Sequence, residues 1–143
     1  MALTESTMVE LGTVAPDFAL TDVVSGKTVK RDDFKGKKGL LVMFICTHCP
    51  YVKHIEKSLG KLGADYAGQP LGIVAISAND ATTHPEDSPA GLKKQAQEKD
   101  FKFPYLYDES QAVAHAYEAA CTPDPYLPKE QKPSIGCNIK WKG

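Results

Sequence analysis

The feature that most constrains the fold is an apolar run that ends directly at two closely spaced cysteines. Residues 40–45 read Leu-Leu-Val-Met-Phe-Ile without a polar position, which is typical of a central strand covered on both faces. Cys46 and Cys49 follow at once, and Pro50 comes directly after the second cysteine. Two thiols at this spacing, where a buried strand gives way to a helix, can close into a disulfide and be reopened by an attacking thiolate. The pattern therefore predicts thiol-disulfide chemistry.

The residues after the cysteine pair have the spacing of an amphipathic helix, predicted to begin near Thr47 and to end near Gly63. Its apolar positions are Val52, Ile55, Leu59 and Leu62. A cysteine at a helix N-terminus meets unpaired N–H groups and the positive end of the helix dipole, which lower a thiol pKa from about 8.5 to between about 3.5 and 7.5. Cys46 is therefore the candidate nucleophile, and Cys49, one turn further in and less exposed, is the candidate resolving thiol.

Three neighbouring residues, Thr47, His48 and Pro50, form the predicted environment of the thiols. A partial positive charge on His48 would stabilise the thiolate and make the disulfide more oxidising. Pro50 is tolerated because its missing N–H falls among the first four of a helix, which have no helical partner. His54 stands beside a lysine on the predicted helix and is expected to be a surface histidine.

The rest of the chain alternates strands and helices, which predicts an α/β fold with a sheet between layers of helices. The predicted strands cover 15–20, 27–30, 40–45, 71–76 and 103–106, and the predicted helices cover 47–63, 89–99 and 111–120. The first two strands form an N-terminal β-hairpin through the turn Ser25-Gly26. Asp80, Asp87 and Asp108 are interpreted as turn and cap residues.

Length and composition place limits on the class of protein. The chain has 143 residues, 42% hydrophobic content and a formal net charge of -1. It has room for one core, and we expect it to be neither disordered nor strongly attracted to nucleic acid or an anionic membrane. Residues 1–11 lack the basic and apolar regions of a signal peptide, and no segment approaches the roughly 18 apolar residues of a spanning helix. We therefore expect a cytoplasmic protein whose cysteines are mostly reduced.

Five stretches carry a family resemblance: 12–18, 44–55, 77–80, 103–108 and 121–124. In order and spacing they resemble the alkyl hydroperoxide reductase and thiol-specific antioxidant (AhpC/TSA) superfamily of redoxins, and within it the peroxiredoxin-like branch. The resemblance implies one thioredoxin-like domain over residues 1–143, with three layers and a central mixed sheet. It also implies a cis peptide between Thr122 and Pro123 against the cysteine pair, which leaves the preceding backbone free to pair with an extended substrate.

The chain departs from the peroxidase members of this family. Those members resemble one another in a Pro-x-x-x-Thr-x-x-Cys arrangement and in a later arginine that helps to hold the peroxide. If Cys46 is the motif cysteine, Gly39 stands at the proline position and Met43 at the threonine position. If Cys49 is the motif cysteine, these positions hold Val42 and Cys46. The only arginine of the chain is Arg31, which lies before both cysteines. A thiol-disulfide oxidoreductase acting on protein or small-molecule disulfides is therefore favoured. A thiol peroxidase that reduces hydrogen peroxide or alkyl hydroperoxides is the alternative.

A second alternative is a zinc-binding or redox-silent domain. Cys46 and Cys49 supply half of a tetrahedral zinc site that Cys121 and Cys137 could complete, although the spacing of the latter two is not that of a second knuckle. The redox interpretation needs no cofactor and no metal, only a disulfide substrate and a reducing partner such as a thioredoxin or glutathione system. Cys121, two residues before Pro123, and Cys137 are possible auxiliary thiols.

The C-terminal part interrupts the resemblance between Leu127 and Pro128. An incomplete sheet edge would be a poor monomer, so we expect a strand, turn, strand and helix of about 30–50 residues to be missing from the sequence at this junction, or a homodimer to cover the edge. Residues 128–143 form the expected tail. Trp141 would anchor it and bring Cys137 towards the active-site face, with Cys121 as its nearest partner. The alternative is a docked tail whose cysteine only packs.

Overall fold

The computed structural model describes residues 3–5, 15–122, 124–126 and 135–138. Its strands are β1 (Leu3–Glu5), β2 (Ala19–Asp22), β3 (Thr28–Lys30), β4 (Gly39–Phe44), β5 (Leu71–Ser77), β6 (Tyr105–Tyr107), β7 (Cys121–Thr122), β8 (Asp124–Tyr126) and β9 (Ile135–Asn138). Its α-helices are α1 (Pro50–Tyr66), α2 (Pro89–Glu98) and α3 (Ala112–Ala116). Within these ranges the strands form a six-stranded sheet in the order β3-β2-β6-β5-β4-β8 and a three-stranded sheet in the order β1-β9-β7.

The apolar run lies in the middle of the larger sheet, as predicted. β4 pairs in parallel with β5, from Gly39 opposite Leu71 to Phe44 opposite Ile76. β5 pairs in parallel with β6, and the hairpin strands β2 and β3 are antiparallel. The sheet is therefore mixed, and the expected N-terminal hairpin is confirmed.

Alternate side chains of β4 enter two separate cores because successive residues of a strand point to opposite faces. One core includes Met43, Ile45 and Ile73 together with Leu59 of α1 and Leu92 of α2. The other includes Val42, Phe44, Val74 and Ile76 together with Ala114 of α3. Helices α1 and α2 therefore cover one face and α3 the other, which is the expected three-layer α/β fold.

The predicted start of the first helix is wrong. α1 begins at Pro50 rather than near Thr47, and it ends three residues later than predicted, at Tyr66. Cys49 is its N-cap, with an extended backbone (φ -71°, ψ 123°). The reason is that proline is favoured at the first helical position, where its missing N–H costs no helical hydrogen bond. The N-terminus of α1 therefore begins at Cys49 rather than at Cys46.

The later helices differ less from prediction. α2 begins at Pro89, as predicted, and its N-cap is Ser88. α3 is shorter than the predicted range 111–120, because Gln111 (φ 64°) and Glu118 (φ 54°) have left-handed backbones. A right-handed helix cannot continue through residues in that conformation.

The described residues contain no helix that is long and apolar enough to cross a membrane. Several predictions concern residues outside the described ranges. These are the cis peptide before Pro123, the missing segment between Leu127 and Pro128, and the anchoring of the tail by Trp141. They stay predictions, as does the single domain over residues 1–143.

Candidate active site

Cys46 lies between the end of β4 and the start of α1, and its side chain is fully buried. Its Sγ is 3.3 Å from Thr122 Oγ1. A hydrogen bond with the Cys49 thiol and burial both raise the pKa of Cys46, and the negative charge of Asp87 adds to this effect. The pKa of Cys46 is therefore raised, which is opposite to the lowering that the sequence predicted. Hydrogen bonds from the Thr122 hydroxyl and from the Cys49 N–H, at the N-terminus of α1, lower the pKa of Cys46, but they do not outweigh these effects.

Cys49 is as deeply buried as Cys46, so the predicted difference in exposure between the two thiols is also wrong. Cys49 Sγ donates a hydrogen bond to Thr122 O at 3.2 Å. Thr122, which the family resemblance placed beside the cysteines, therefore contacts both of them, one through its side chain and one through its carbonyl. The strand β7 holds the two thiols side by side.

Sequence reasoning missed Asp87. Of the three aspartates interpreted as turn and cap residues, Asp80 and Asp108 do accept local backbone N–H groups. Asp87 does not cap α2, because that cap is Ser88, whose Oγ accepts the Gly91 N–H at 3.3 Å. A carboxylate directly before a Ser-Pro helix start looks like a helix cap in the sequence. No local pattern therefore distinguishes Asp87 from an ordinary capping residue.

The Asp87 carboxylate instead anchors both residues between the cysteines. Its Oδ1 accepts the Thr47 N–H at 2.7 Å, and the Thr47 hydroxyl lies 2.6 Å from both Asp87 Oδ1 and Glu86 O. Its Oδ2 accepts Asn79 Nδ2 at 3.0 Å and is in direct contact with His48 Nδ1. The predicted environment residues Thr47 and His48 are therefore held by one buried acid that is distant in sequence.

The electrostatics of this cluster favour a charged pair. The hydrogen bond to Asp87 raises the pKa of His48, against an opposing effect of burial. Burial by itself would raise the pKa of Asp87, but the hydrogen bonds from His48, Thr47 and Asn79 outweigh it and hold the pKa at about 2. The role predicted for His48, stabilisation of a thiolate, stays a prediction. The His48 ring also stacks on His84, with ring centroids 4.2 Å apart.

A second network of polar side chains holds the main chain of Cys46 through its carbonyl oxygen. Gln95 Nε2 donates to Cys46 O and to Glu56 Oε1, both at 3.1 Å, and Tyr105 donates its hydroxyl to Gln95 Oε1 at 2.8 Å. Lys99 Nζ lies 3.4 Å from Glu56 Oε2 and pairs with that buried carboxylate. Charged groups this deep in a protein are kept only when paired, and here the pairing steadies the loop that carries the nucleophile.

The two other cysteines lie on neighbouring strands. Cys121 is fully buried, next to Thr122 in β7. β9 pairs antiparallel with β7, so that the backbone of Cys137 is opposite Thr122 and that of Asn138 is opposite Cys121. This part of the tail therefore does return to the active-site strand. The roles of Cys121 and Cys137 as auxiliary thiols or zinc ligands stay predictions, because the Cys137 side chain is outside the described residues.

The acid stability of the protein should depend on Asp87. Its folded-state pKa of about 2 is below the ordinary value of 3.8, so its stabilising contribution is complete above about pH 4 and is lost as the pH falls towards about 2. Urea unfolding of the wild type should show a steeper fall in the free energy of unfolding over this interval than Asp87→Asn. Asp65→Asn, at an exposed position on α1, should retain the wild-type slope. Parallel curves for the wild type and Asp87→Asn would contradict this assignment.

Gly91→Ala should destabilise the turn that carries Asp87. An added Cβ would lie 2.0 Å from Glu86 O. Exchange of a helical glycine for alanine ordinarily stabilises a protein by roughly 0.5–1 kcal/mol, but here the backbone must move, at a cost of about 1–3 kcal/mol. The free energy of unfolding measures the effect, with Gly68→Ala as the control because nothing lies within 4 Å of its added Cβ. Equal stability of the two variants would show that the turn is not tightly held.

Comparison with known proteins is consistent with this geometry. Residues 11–134 match the profile of the AhpC/TSA family. The thiol-disulfide oxidoreductase ResA of Bacillus thuringiensis subsp. konkukian (strain 97-27) is 27% identical over 124 residues, which are 87% of this chain and 66% of that protein. The chain thus spans just under two thirds of the length of this curated relative.

Solved structures show the same architecture. An uncharacterized conserved protein from Geobacillus kaustophilus superimposes with a TM-score of 0.94 at 42% identity, over 99% of this chain and 97% of the other. The thioredoxin domain of a thiol-disulfide oxidoreductase from Bacteroides vulgatus superimposes with a TM-score of 0.67 at 23% identity, over 95% of this chain and 91% of the other. The fold is therefore thioredoxin-like. Since the family profile spans most of the sequence, including both cysteines and the buried acid, this chain belongs to the AhpC/TSA family.

Proposed function

We propose that this chain is a thiol-disulfide oxidoreductase that acts through Cys46 and Cys49. The observation that carries the proposal is the convergence of both sulfur atoms on Thr122, at 3.3 Å from its Oγ1 and 3.2 Å from its carbonyl oxygen. This arrangement keeps the thiols close enough to share a hydrogen bond, as a reversible disulfide requires. The names of the ResA relatives support the same chemistry.

The reaction proceeds by two exchanges. Deprotonated Cys46 attacks one sulfur of the substrate disulfide, and the other substrate sulfur leaves as a thiolate, which gives a mixed disulfide on Cys46. Deprotonated Cys49 then attacks the Cys46 sulfur and releases the second substrate thiol. Two electrons pass from the dithiol to the substrate, and the Cys46–Cys49 disulfide remains. The reverse sequence oxidises a substrate dithiol.

The surrounding residues act on the first exchange. We expect the positive charge of the His48 imidazolium to offset both the negative charge of Asp87 and the negative charge that forms on the thiols. Because Cys46 is fully buried, a substrate reaches its sulfur only when the side chains that cover it move. Of the described residues next to the cysteines, Thr47 is buried, whereas 15% of the His48 side chain is accessible and Pro50 is exposed. We therefore expect the substrate to approach from the side of His48 and Pro50.

The identity of the partners belongs to the proposal as well. We expect a protein disulfide as substrate and a thioredoxin or glutathione system that returns the electrons. The cytoplasm is the compartment in which such a system keeps the pair as a dithiol. A homodimer in which a second copy of the chain covers a sheet edge also remains our expectation.

A direct comparison of two substrates tests the function. The reduced protein should catalyse dithiothreitol-dependent reduction of insulin disulfides, and it should consume hydrogen peroxide only at the slow rate of an ordinary thiol. Arg31, the one arginine of the chain, is engaged by Ala15 O, Asp17 and Asp32, which supports this expectation. Fast, saturable peroxide consumption that depends on Cys46, without insulin reduction, would establish the peroxidase alternative instead.

A further inference from the structure

We propose that Cys46, His48 and Asp87 form a binding site for a zinc-like divalent cation. In the part of the chain that the structure describes, one ligand atom of each of these residues lies within 4.8 Å of the other two. The cluster joins the loop between β4 and α1 to the turn before α2. It is a different set from the four cysteines that the sequence suggested for zinc, and it goes beyond disulfide exchange.

The donor set suits zinc. Thiolate sulfur, imidazole nitrogen and carboxylate oxygen are the three ligand types that zinc accepts in proteins, at about 2.0–2.3 Å. Atoms that share one tetrahedral ion are then roughly 3–4 Å apart. The three side chains therefore need only small movements to reach a common ion. Mg²⁺ and Ca²⁺, which prefer oxygen ligands, fit this set poorly.

The ligands on the His48–Asp87 side are already oriented by their neighbours. Asp87 Oδ1 is held by Thr47, and Asn79 donates to Oδ2. His48 Nδ1 faces that same Oδ2, and its ring is stacked on His84. A cation between the imidazole and the carboxylate would replace the proton that they share. Such supporting hydrogen bonds are typical of ligating histidines and carboxylates.

Cys46 completes the site, and its loop is fixed independently. Thr122 Oγ1 lies 3.3 Å from its sulfur, and Gln95 donates to its carbonyl oxygen. Cys49 is not a member of the cluster, so the described residues supply three ligands and leave the fourth tetrahedral position open, as in catalytic zinc sites. One consequence is competition, because a Cys46 engaged in a disulfide has no thiolate to offer the cation.

Titration of the cation-free, reduced protein tests the site. Zn²⁺ followed by calorimetry should bind with one ion per chain, and Co²⁺ should give the absorption bands of a thiolate-bound, near-tetrahedral ion. Cys46→Ser and Asp87→Asn should each weaken binding by on the order of 100-fold or more, and oxidation to the disulfide should abolish it. Cys49→Ser should bind like the wild type. His54→Ala and Asp65→Asn, at exposed positions on α1, are the matched controls.

The outcomes separate this site from its alternatives. Equal loss in Cys46→Ser and Cys49→Ser would show that the cysteine pair alone chelates the ion, and would overturn the site. Unchanged binding in Cys46→Ser, or the absence of one-to-one binding by the wild type, would also overturn it. Circular dichroism checks the fold of Asp87→Asn, and His48→Ala replaces that variant if it does not fold. Insulin reduction by the cation-free protein is measured separately, so that failure of the site and failure of the proposed function are distinguishable.

Discussion

Cys46→Ser will reduce the dithiol-dependent reduction of insulin to the rate observed without protein. Serine cannot form the mixed disulfide with which each cycle begins, because its hydroxyl is not a nucleophile towards sulfur at neutral pH. The assay is the turbidity of reduced insulin with dithiothreitol as electron donor. His54→Ala, at an exposed position on α1, should leave the rate unchanged.

Cys49→Ser will have a different phenotype from Cys46→Ser. It can form the mixed disulfide but cannot resolve it, so a covalent complex should accumulate and should disappear on reduction. Non-reducing electrophoresis and intact-protein mass spectrometry detect the complex. If the covalent complex accumulates with Cys46→Ser rather than with Cys49→Ser, the assignment of nucleophile and resolving thiol is reversed. This outcome must be examined because Cys49 is the N-cap of α1.

Asp87→Asn will destabilise the folded protein by about 2–4 kcal/mol near neutral pH. The buried carboxylate accepts hydrogen bonds from Thr47, His48 and Asn79, and its replacement leaves donors facing an amide that is itself partly a donor. Removal of one partner of a fully buried ion pair costs about 3–5 kcal/mol, and the loss expected here is somewhat smaller because His48 is only partly buried. Urea unfolding measures the effect. Asp65→Asn, which breaks an exposed pair with Lys61, should change the free energy of unfolding by less than about 1 kcal/mol.

The same variant should alter His48 directly. Asp87 is the main cause of the raised pKa of His48, so the pKa of the imidazole should fall in Asp87→Asn. A titration followed by NMR of the ring protons measures this shift, and it separates loss of the charged pair from general loss of stability. An unchanged pKa of His48 in a folded Asp87→Asn would show that the two side chains are not coupled.

Local patterns were sufficient for most of the architecture. The run 40–45 predicted a central strand because a strand buried on both faces has no polar position, and β4 occupies that place. The hairpin β2–β3 followed from a Ser-Gly turn between extended segments. The start of α1 was also within reach of the sequence, because proline favours the first helical position. This preference of proline is a stronger indicator of the helix start than the spacing of the apolar residues, and it places the N-terminus of α1 at Pro50.

The sequence by itself determined which atoms can react. Only two residues separate Cys46 and Cys49 in the chain, and their spacing after a buried strand is a local property that predicts disulfide chemistry without knowledge of the fold. The tertiary structure alone decided their environment. Asp87 lies 40 residues from Thr47 along the chain and meets it only because α2 packs on the same face of the sheet as α1. The burial of Cys46 and the charge on His48 follow from that packing, because desolvation and ion pairing depend on neighbours in space rather than in sequence.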